Sequence, residues 1–394
     1  MAKKPAKKGG TKKAKTTKKA AAPAIYKGLA GVTVDTTSVS KVMPETNSLT
    51  YRGYAVQDLA ATCSFEEVAY LMWHGELPTR AQLRKFCDDE RSRREISRAH
   101  IEVIRQYPKR AHPMDTLRTS VSYLGTTDTA WGGEPREKDL DRAMNMLAKI
   151  PTMIATDYRF RKDLPRKKPR KDLSMSENFF HMCFGEVPPK EVIRAFDISL
   201  ILYAEHSFNA STFTARVITS SRSDIFSAVT GGIGSLKGPL HGGANEAVML
   251  NLKEIGTVRK AEPWLRDKMA NNQLVMGFGH RVYKSGDSRV PTMRKALEDL
   301  AAWKGDTKWL EISDVLQNIM IEEKGIHPNL DFPAGPAYYL MGFEIDMYTP
   351  IFVMSRITGW AAHILEQNAN NALIRPLSEY TGVKQRQVKP ISKR

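Results

Sequence analysis

Apolar residues recur at helical intervals through most of the chain. Ser64 and Glu67 have the spacing of a capping box, Phe65, Val68, Ala69 and Met72 follow on one face, and Gly75 supplies a stop. Thr79 and Gln82 repeat the box a few residues later. From Lys190 to Tyr203, Val192, Phe196, Ser199, Leu200 and Tyr203 share a face behind Pro188 and Pro189. Thr349 and Pro350 read as an N-cap and first-turn proline for IFVMSRITGWAAHILEQ. Alternating strand patterns are few, and Asn-Gly or Asp-Gly hairpin signals are absent. The pattern predicts a mainly α fold. Two segments interrupt it: RFRKDLPRKKPRKD at 159–172, and Gly231 to Gly286, where glycines cluster around histidines.

Composition narrows the class. The 394 residues, 41% hydrophobic and 26% charged, fit a soluble globular protein. No run approaches the ~18 apolar residues that span a bilayer, and no signal peptide is apparent. The three cysteines, Cys63, Cys87 and Cys183, form no CxxC pair, which points to a reducing, cytoplasmic setting rather than a disulfide framework. The formal charge is +17, but nine lysines and no acid lie in residues 1–22, leaving +8 for the rest. A Lys, Ala, Thr, Pro and Gly tail over 1–23 buries too little apolar surface to order itself. It predicts a solvated, disordered tail, with at most nonspecific contact to nucleic acid or an acidic surface. The eight basic residues of 159–172 read first as a solvated loop and second as an anion contact.

Four stretches concentrate groups able to do chemistry: AEHSFNAST (204–212), KGPLHGGANEA (237–247), MGFGHRVYKSGDSR (276–289) and PNLDFPAG (328–335), followed by Arg356 and Arg375. Glycine next to histidine lets backbone approach a ligand and adds nothing to a core. HExxH, GxSxG and GxxxxGK[ST] motifs are absent, Gly277-Phe278-Gly279 is too short for a dinucleotide fingerprint, and the nine histidines have no i, i+4 pair for a metal.

Together these stretches resemble the citrate synthase family from about Gly28 to Pro376, in order and spacing. The resemblance implies an all-α, two-domain homodimer. Residues 24–235 and 345–394 would form a large helical domain, and 236–344 a small mobile one. It implies a condensation of a short acyl-CoA with oxaloacetate and water, with coenzyme A thioester as substrate and no cofactor or metal. It casts Asp331 as the base, His241 as donor to the thioester oxygen and His280 as donor to the ketone. His206, Asn209, Arg289, Arg356 and Arg375 would hold oxaloacetate, with Arg375 reaching in from the partner subunit. Lys237, Gly238, Gly277, Gly279 and Lys284 would meet CoA, and the 159–172 loop its 3′-phosphate. Within the family, YAEHSFNASTF, NLDFPAGPAYYLMGF and TPIFVMSRITGWAAHILEQ look more like 2-methylcitrate synthases, which use propionyl-CoA, than citrate synthases, which use acetyl-CoA. Ala334 would leave room for the extra methyl. A nucleic-acid-associated protein and an inactive regulator on the same fold are the other classes weighed. A complete set of Asp331, His241 and His280 disfavours both.

Overall fold

A computed structural model describes residues 25–128, 135–280, 282–283 and 286–394. Residues up to Thr36 form one unit, whose described part holds a single turn at Lys27–Leu29; Thr37–Arg394 form the other. The expected tail over 1–23 lies outside the described residues.

The second unit opens with a three-stranded antiparallel sheet that the pattern did not announce: β1 (Ser40–Met43), β2 (Ser48–Tyr51) and β3 (Tyr54–Ala55). Ser40 faces Tyr51, and Thr50 faces Ala55. The β2–β3 turn is Arg52-Gly53, both at positive φ (48° and 90°). That is the backbone of a two-residue hairpin with arginine where asparagine is usual. The arginine is held there because its guanidinium bonds the Met72 carbonyl and Ser38 Oγ.

Helices follow: α1 (Val56–Thr62), α2 (Phe65–His74), α3 (Arg80–Arg93), α4 (Arg98–Arg105), α5 (Pro113–Thr126) and α6 (Arg136–Arg161). Then come α7 (Met175–Phe184), α8 (Lys190–Tyr203), α9 (Ala210–Ser220), α10 (Ile225–Leu236) and α11 (Ala244–Ile255). The last are α12 (Val258–Ala270), α13 (Val290–Lys304), α14 (Lys308–Lys324), α15 (Asp331–Leu340) and α16 (Tyr348–Ala369). Both capping boxes form, and Gly75 ends α2 in the left-handed conformation.

Helix α16 is buried along nearly its whole length and packs on α6, α8, α9 and α10. A helix apolar all round belongs inside a core. It starts at Tyr348, so Thr349 and Pro350 are first-turn residues and not the cap that was expected. The helix grows out of the short turn at Ile345–Met347, and a carboxylate from elsewhere, Glu246, accepts the free Thr349 N–H at 3.2 Å. The glycine-rich stretch is also more helical than expected, because α10 runs through Gly231, Gly232 and Gly234. A Cβ on Gly232 would lie 3.1 Å from the Trp360 ring, so the glycine permits α10 and α16 to approach closely. Helices α11 to α15 pack chiefly on one another, with α13 also on α8 and α11 on α16.

The basic segment begins in the last turn of α6 and is largely tied down. Arg159 donates to the Cys183 carbonyl, and Arg161 pairs with Asp157 at 2.7 Å. Lys162 pairs with Glu344, Arg166 with Glu95 and Arg170 with Asp172. Five of its eight basic side chains thus have protein partners.

Candidate active site

Asp331 opens α15. Its backbone N–H donates to Asn329 Oδ1 at 3.1 Å, and its Oδ1 accepts the Tyr203 hydroxyl at 2.6 Å. A carboxylate at a helix N-terminus gains at most ~2 kcal/mol from the dipole. Burial outweighs this: despite the Tyr203 hydrogen bond and the nearby Arg289, it pushes the Asp331 carboxyl up to about 6.

His280 sits on a loop stitched to the segment just before Asp331. The Gly279 N–H donates to the His327 carbonyl at 2.8 Å, and the Asn329 N–H to the Gly277 carbonyl at 2.9 Å. Asn329 Nδ2 adds a bond to the Gly279 carbonyl at 3.0 Å. Gly277 has φ +87°, and a Cβ there would collide with Val248 at 2.6 Å, so only glycine fits this turn. The stitching is how two distant motifs, GFGH and NLDF, arrive at one place. His280 Nδ1 accepts the N–H groups of Val282 (3.0 Å) and Tyr283 (3.2 Å). The ring proton of the neutral imidazole therefore resides on Nε2. Burial, then the Arg289 charge, lowers this histidine to about 4.

His241 is held in the turn between α10 and α11, its N–H donating to the Gly238 carbonyl at 2.9 Å. Its Nε2 accepts the Ser211 N–H at 3.2 Å and lies 2.8 Å from Ser211 Oγ. That places the ring proton on Nδ1, the opposite tautomer to His280. Burial, then Arg356, lowers it to about 3. Both imidazoles are neutral donors over the physiological range.

His206 lies in the loop between α8 and α9. It is buried, its ring centroid is 4.9 Å from that of His280, and its Nε2 has no hydrogen-bond partner among the described residues. Burial and the Arg289 charge hold it well below the usual histidine range. Arg356 comes from α16, where Nε donates to the Tyr203 carbonyl at 2.7 Å, while Nη1 is buried without a partner among the described residues. An unpaired buried guanidinium nitrogen is costly unless a ligand completes it. Arg289 differs. Its Nε and Nη2 bond both oxygens of Asp287, at 2.9 and 2.6 Å, and Nη1 makes a long 3.4 Å bond to the Leu202 carbonyl. Asp287 also accepts the Leu330 N–H at 3.2 Å, so it ties Arg289 to the backbone beside Asp331.

Other expected residues have partners within the chain. Asn209 caps α9: its Oδ1 accepts from Thr212 N–H (3.1 Å) and Ser211 Oγ (2.8 Å), and its Nδ2 bonds Thr212 Oγ1. It thereby orders Ser211, which orients His241. Lys237 is gripped by both oxygens of Asp115 in the first turn of α5, at 2.6 and 2.8 Å. One residue before α5, His112 pairs with Glu246 at 3.1 Å, so this short segment braces the His241 turn on both flanks. Gly238 and Gly279 act through backbone carbonyls in the two turns. Arg375 is exposed on the extended segment after α16, apart from the cluster within this chain. Lys284 lies outside the described residues. Sequence reasoning assigned no role to Tyr203, Ser211, Asp287 and Asn329. All four stood inside the quoted stretches, and Tyr203 also lay on the buried face of α8.

Two imidazoles of fixed, opposite tautomer, a buried carboxyl of raised affinity for protons and a buried guanidinium define an acid–base site for carbonyl chemistry on an anionic substrate. A family profile described as "Citrate synthase, C-terminal domain" matches residues 28–377, and the chain belongs to the citrate synthase family, as an enzyme of the acyltransferase class. It is 59% identical to a protein named citrate synthase from Mycolicibacterium smegmatis, over 93% of this chain and 97% of that one. It is 58% identical to one named 2-methylcitrate synthase from Mycobacterium tuberculosis, over 92% of each. Among solved structures it resembles Thermoplasma acidophilum citrate synthase in ternary complex with carboxymethyl coenzyme A and oxaloacetate. The TM-score is 0.89 at 34% identity, covering 93% of this chain and 99% of that one. Among the described residues no helix is long and apolar enough to cross a membrane, and no metal-binding cluster is present.

Proposed function

We propose that this enzyme condenses propionyl-CoA with oxaloacetate and water, giving 2-methylcitrate and CoA, and accepts acetyl-CoA as a poorer substrate. Asp331 takes a proton from the carbon next to the thioester. Nδ1–H of His241 donates to the thioester oxygen as it gains enolate character, and a neutral imidazole suits that task because its N–H is weakly acidic, as the enol O–H is, and can stabilise the charge without giving up its proton. The carbon attacks the oxaloacetate ketone, whose oxygen receives Nε2–H of His280. Water then cleaves the condensed thioester and releases CoA. His206 and Arg356 hold oxaloacetate, Arg289 adds its charge from the Asp287 pair, and Arg375 enters from a second subunit. Residues 236–344 act as the small domain that closes over the substrates. The observation that carries this reading is that Nε2 of His241 and Nδ1 of His280 each accept backbone N–H groups, which leaves the other ring nitrogen of each to donate.

The acyl preference rests on Ala334, one turn after Asp331 on α15 and fully buried, where a small side chain adds no bulk beside the base. A methylene is worth only about 1–3 kcal/mol of discrimination, so both acyl-CoAs should turn over. The second reading, an acetyl-CoA enzyme, is favoured by the name of the Mycolicibacterium relative. Thiol release at fixed oxaloacetate separates them. A higher kcat/KM for propionyl-CoA supports the first reading, a higher value for acetyl-CoA supports the second, and no thiol release from either overturns both.

A further inference from the structure

Tyr203 ends α8, three residues before His206, and its side chain is buried. Its ring lies against Phe352, with centroids 4.1 Å apart, and its backbone carbonyl receives Arg356 Nε. The phenol is thereby held from two sides, and its oxygen stands 2.6 Å from Asp331 Oδ1. This is the short length of an O–H bond to a charged acceptor. The phenol is pushed well above its ordinary proton affinity by burial and by the Asp331 charge, so it stays protonated and has its proton to donate. No other described side chain bonds the Asp331 carboxylate. Of its two oxygens, Oδ1 is occupied and Oδ2 is left to the substrate. The neighbouring phenol of Tyr338 is turned elsewhere, donating to Ser199 Oγ at 3.1 Å.

We propose that Tyr203 is the positioning residue of the base: its hydroxyl fixes Oδ1 of Asp331 and leaves Oδ2 as the oxygen that receives the substrate proton. The inference rests on the reading of Asp331 as the base. It assigns Tyr203 a second effect. The charged groups facing Asp331 are Arg289 and Asp287 from the start of α13 and Arg356 from α16. Asp287 opposes ionisation, while the two arginines favour it. The Tyr203 hydrogen bond is the largest influence holding the carboxyl ionised against its burial. Removing the hydroxyl makes the base harder to ionise and releases its rotamer.

The test is the pH dependence of kcat/KM for the acyl-CoA at saturating oxaloacetate in Tyr203→Phe. A hydrogen bond to a charged group changes an ionisation constant by about tenfold, so the acid limb should move up by about one pH unit. Turnover at neutral pH should fall further than at pH 9, with the oxaloacetate KM within about twofold of the parent because the arginines remain. Replacing Tyr203 by 3-fluorotyrosine keeps the shape and strengthens the donor, so the limb should move down. Phe352→Leu removes the ring contact and leaves the hydrogen bond, so the limb should stay in place. An unmoved limb in Tyr203→Phe, or matching limbs for the tyrosine and fluorotyrosine enzymes, overturns the proposal. Asp331→Asn distinguishes the failures. If it still releases thiol, the reading of the base is wrong; if it is inactive and the Tyr203 variants leave the limb unmoved, only the role of Tyr203 is wrong.

Discussion

Burial makes the Asp331 carboxylate, the proposed base, expensive to keep charged, and replacing it should stabilise the fold while stopping the proposed reaction. The carboxyl rises from an ordinary 3.8 to about 6 in the folded protein. A rise of that size corresponds to about 3 kcal/mol. The sign follows from proton counting. Between about pH 4 and pH 6 the folded state binds the proton more tightly than the unfolded chain, so stability falls as pH rises through that window. Above it the full cost is present, and below it none. Asp331→Asn keeps the shape, still accepts the Tyr203 hydroxyl and carries no charge. Urea unfolding at pH 8 should therefore find the variant more stable by about 3 kcal/mol, and at pH 4 the two proteins should coincide. Thiol release by the variant should be lost at both pH values. A variant that is less stable at pH 8, or whose advantage does not change with pH, would refute the claim that burial is what raises this carboxyl.

Arg356→Lys should raise the oxaloacetate KM by about 30-fold and leave the acyl-CoA KM nearly unchanged, since lysine cannot supply the free Nη1 of a planar fork; steady-state kinetics with each substrate varied would show it. Arg375→Ala and Asp331→Asn homodimers should each be severely impaired, yet mixing them under subunit exchange should restore thiol release, because one site per mixed dimer has Asp331 from one chain and Arg375 from the other. No recovery on mixing would count against a shared site. Reversing Lys167, Lys168 and Lys171 to glutamate should leave the acyl-CoA KM within about twofold, as expected of a solvated face. A tenfold rise would restore the 3′-phosphate contact.

How far the sequence could be read depended on the range of the interaction involved. Capping boxes and helix stops are decided within four residues, so Ser64, Thr79 and Gly75 were visible from the letters alone. The start of α16 was not, because Glu246 satisfies its first turn from about a hundred residues away. The sheet escaped notice because its Arg52-Gly53 turn is stabilised by the Met72 carbonyl, a tertiary partner. In the site, His241, His280 and Asp331 drew attention by residue type and glycine-rich surroundings alone. What a residue touches was not legible in that way: Lys237 is bonded by Asp115, Asn209 caps its own helix, and Tyr203, which opens the quoted YAEHSFNASTF, bonds Asp331 from 128 positions away.

The same dependence on partners explains why the site favours neutral imidazoles. Burial begins the effect on His206, His241 and His280, and the fixed charges of Arg289 and Arg356 carry it further. Asp287 offsets part of the Arg289 charge, and Glu205, whose Oε1 is bonded by His363 and Ser40, lies beneath Arg356. Gly359 permits that approach, since a Cβ there would stand 2.3 Å from Glu205 Oε2. The two carboxylates have unequal effects on their arginines. Arg289 has its charge paired by both oxygens of Asp287, whereas Arg356 is attracted by Glu205 without a hydrogen bond and keeps Nη1 without a partner among the described residues. On the proposed function, a dianionic substrate entering this pocket would meet one guanidinium with a hydrogen bond to give and one whose charge is already partly balanced. Its own charge raises the proton affinity of the histidines only after it has bound. Before that the imidazoles are neutral, the form in which each ring has one N–H to donate.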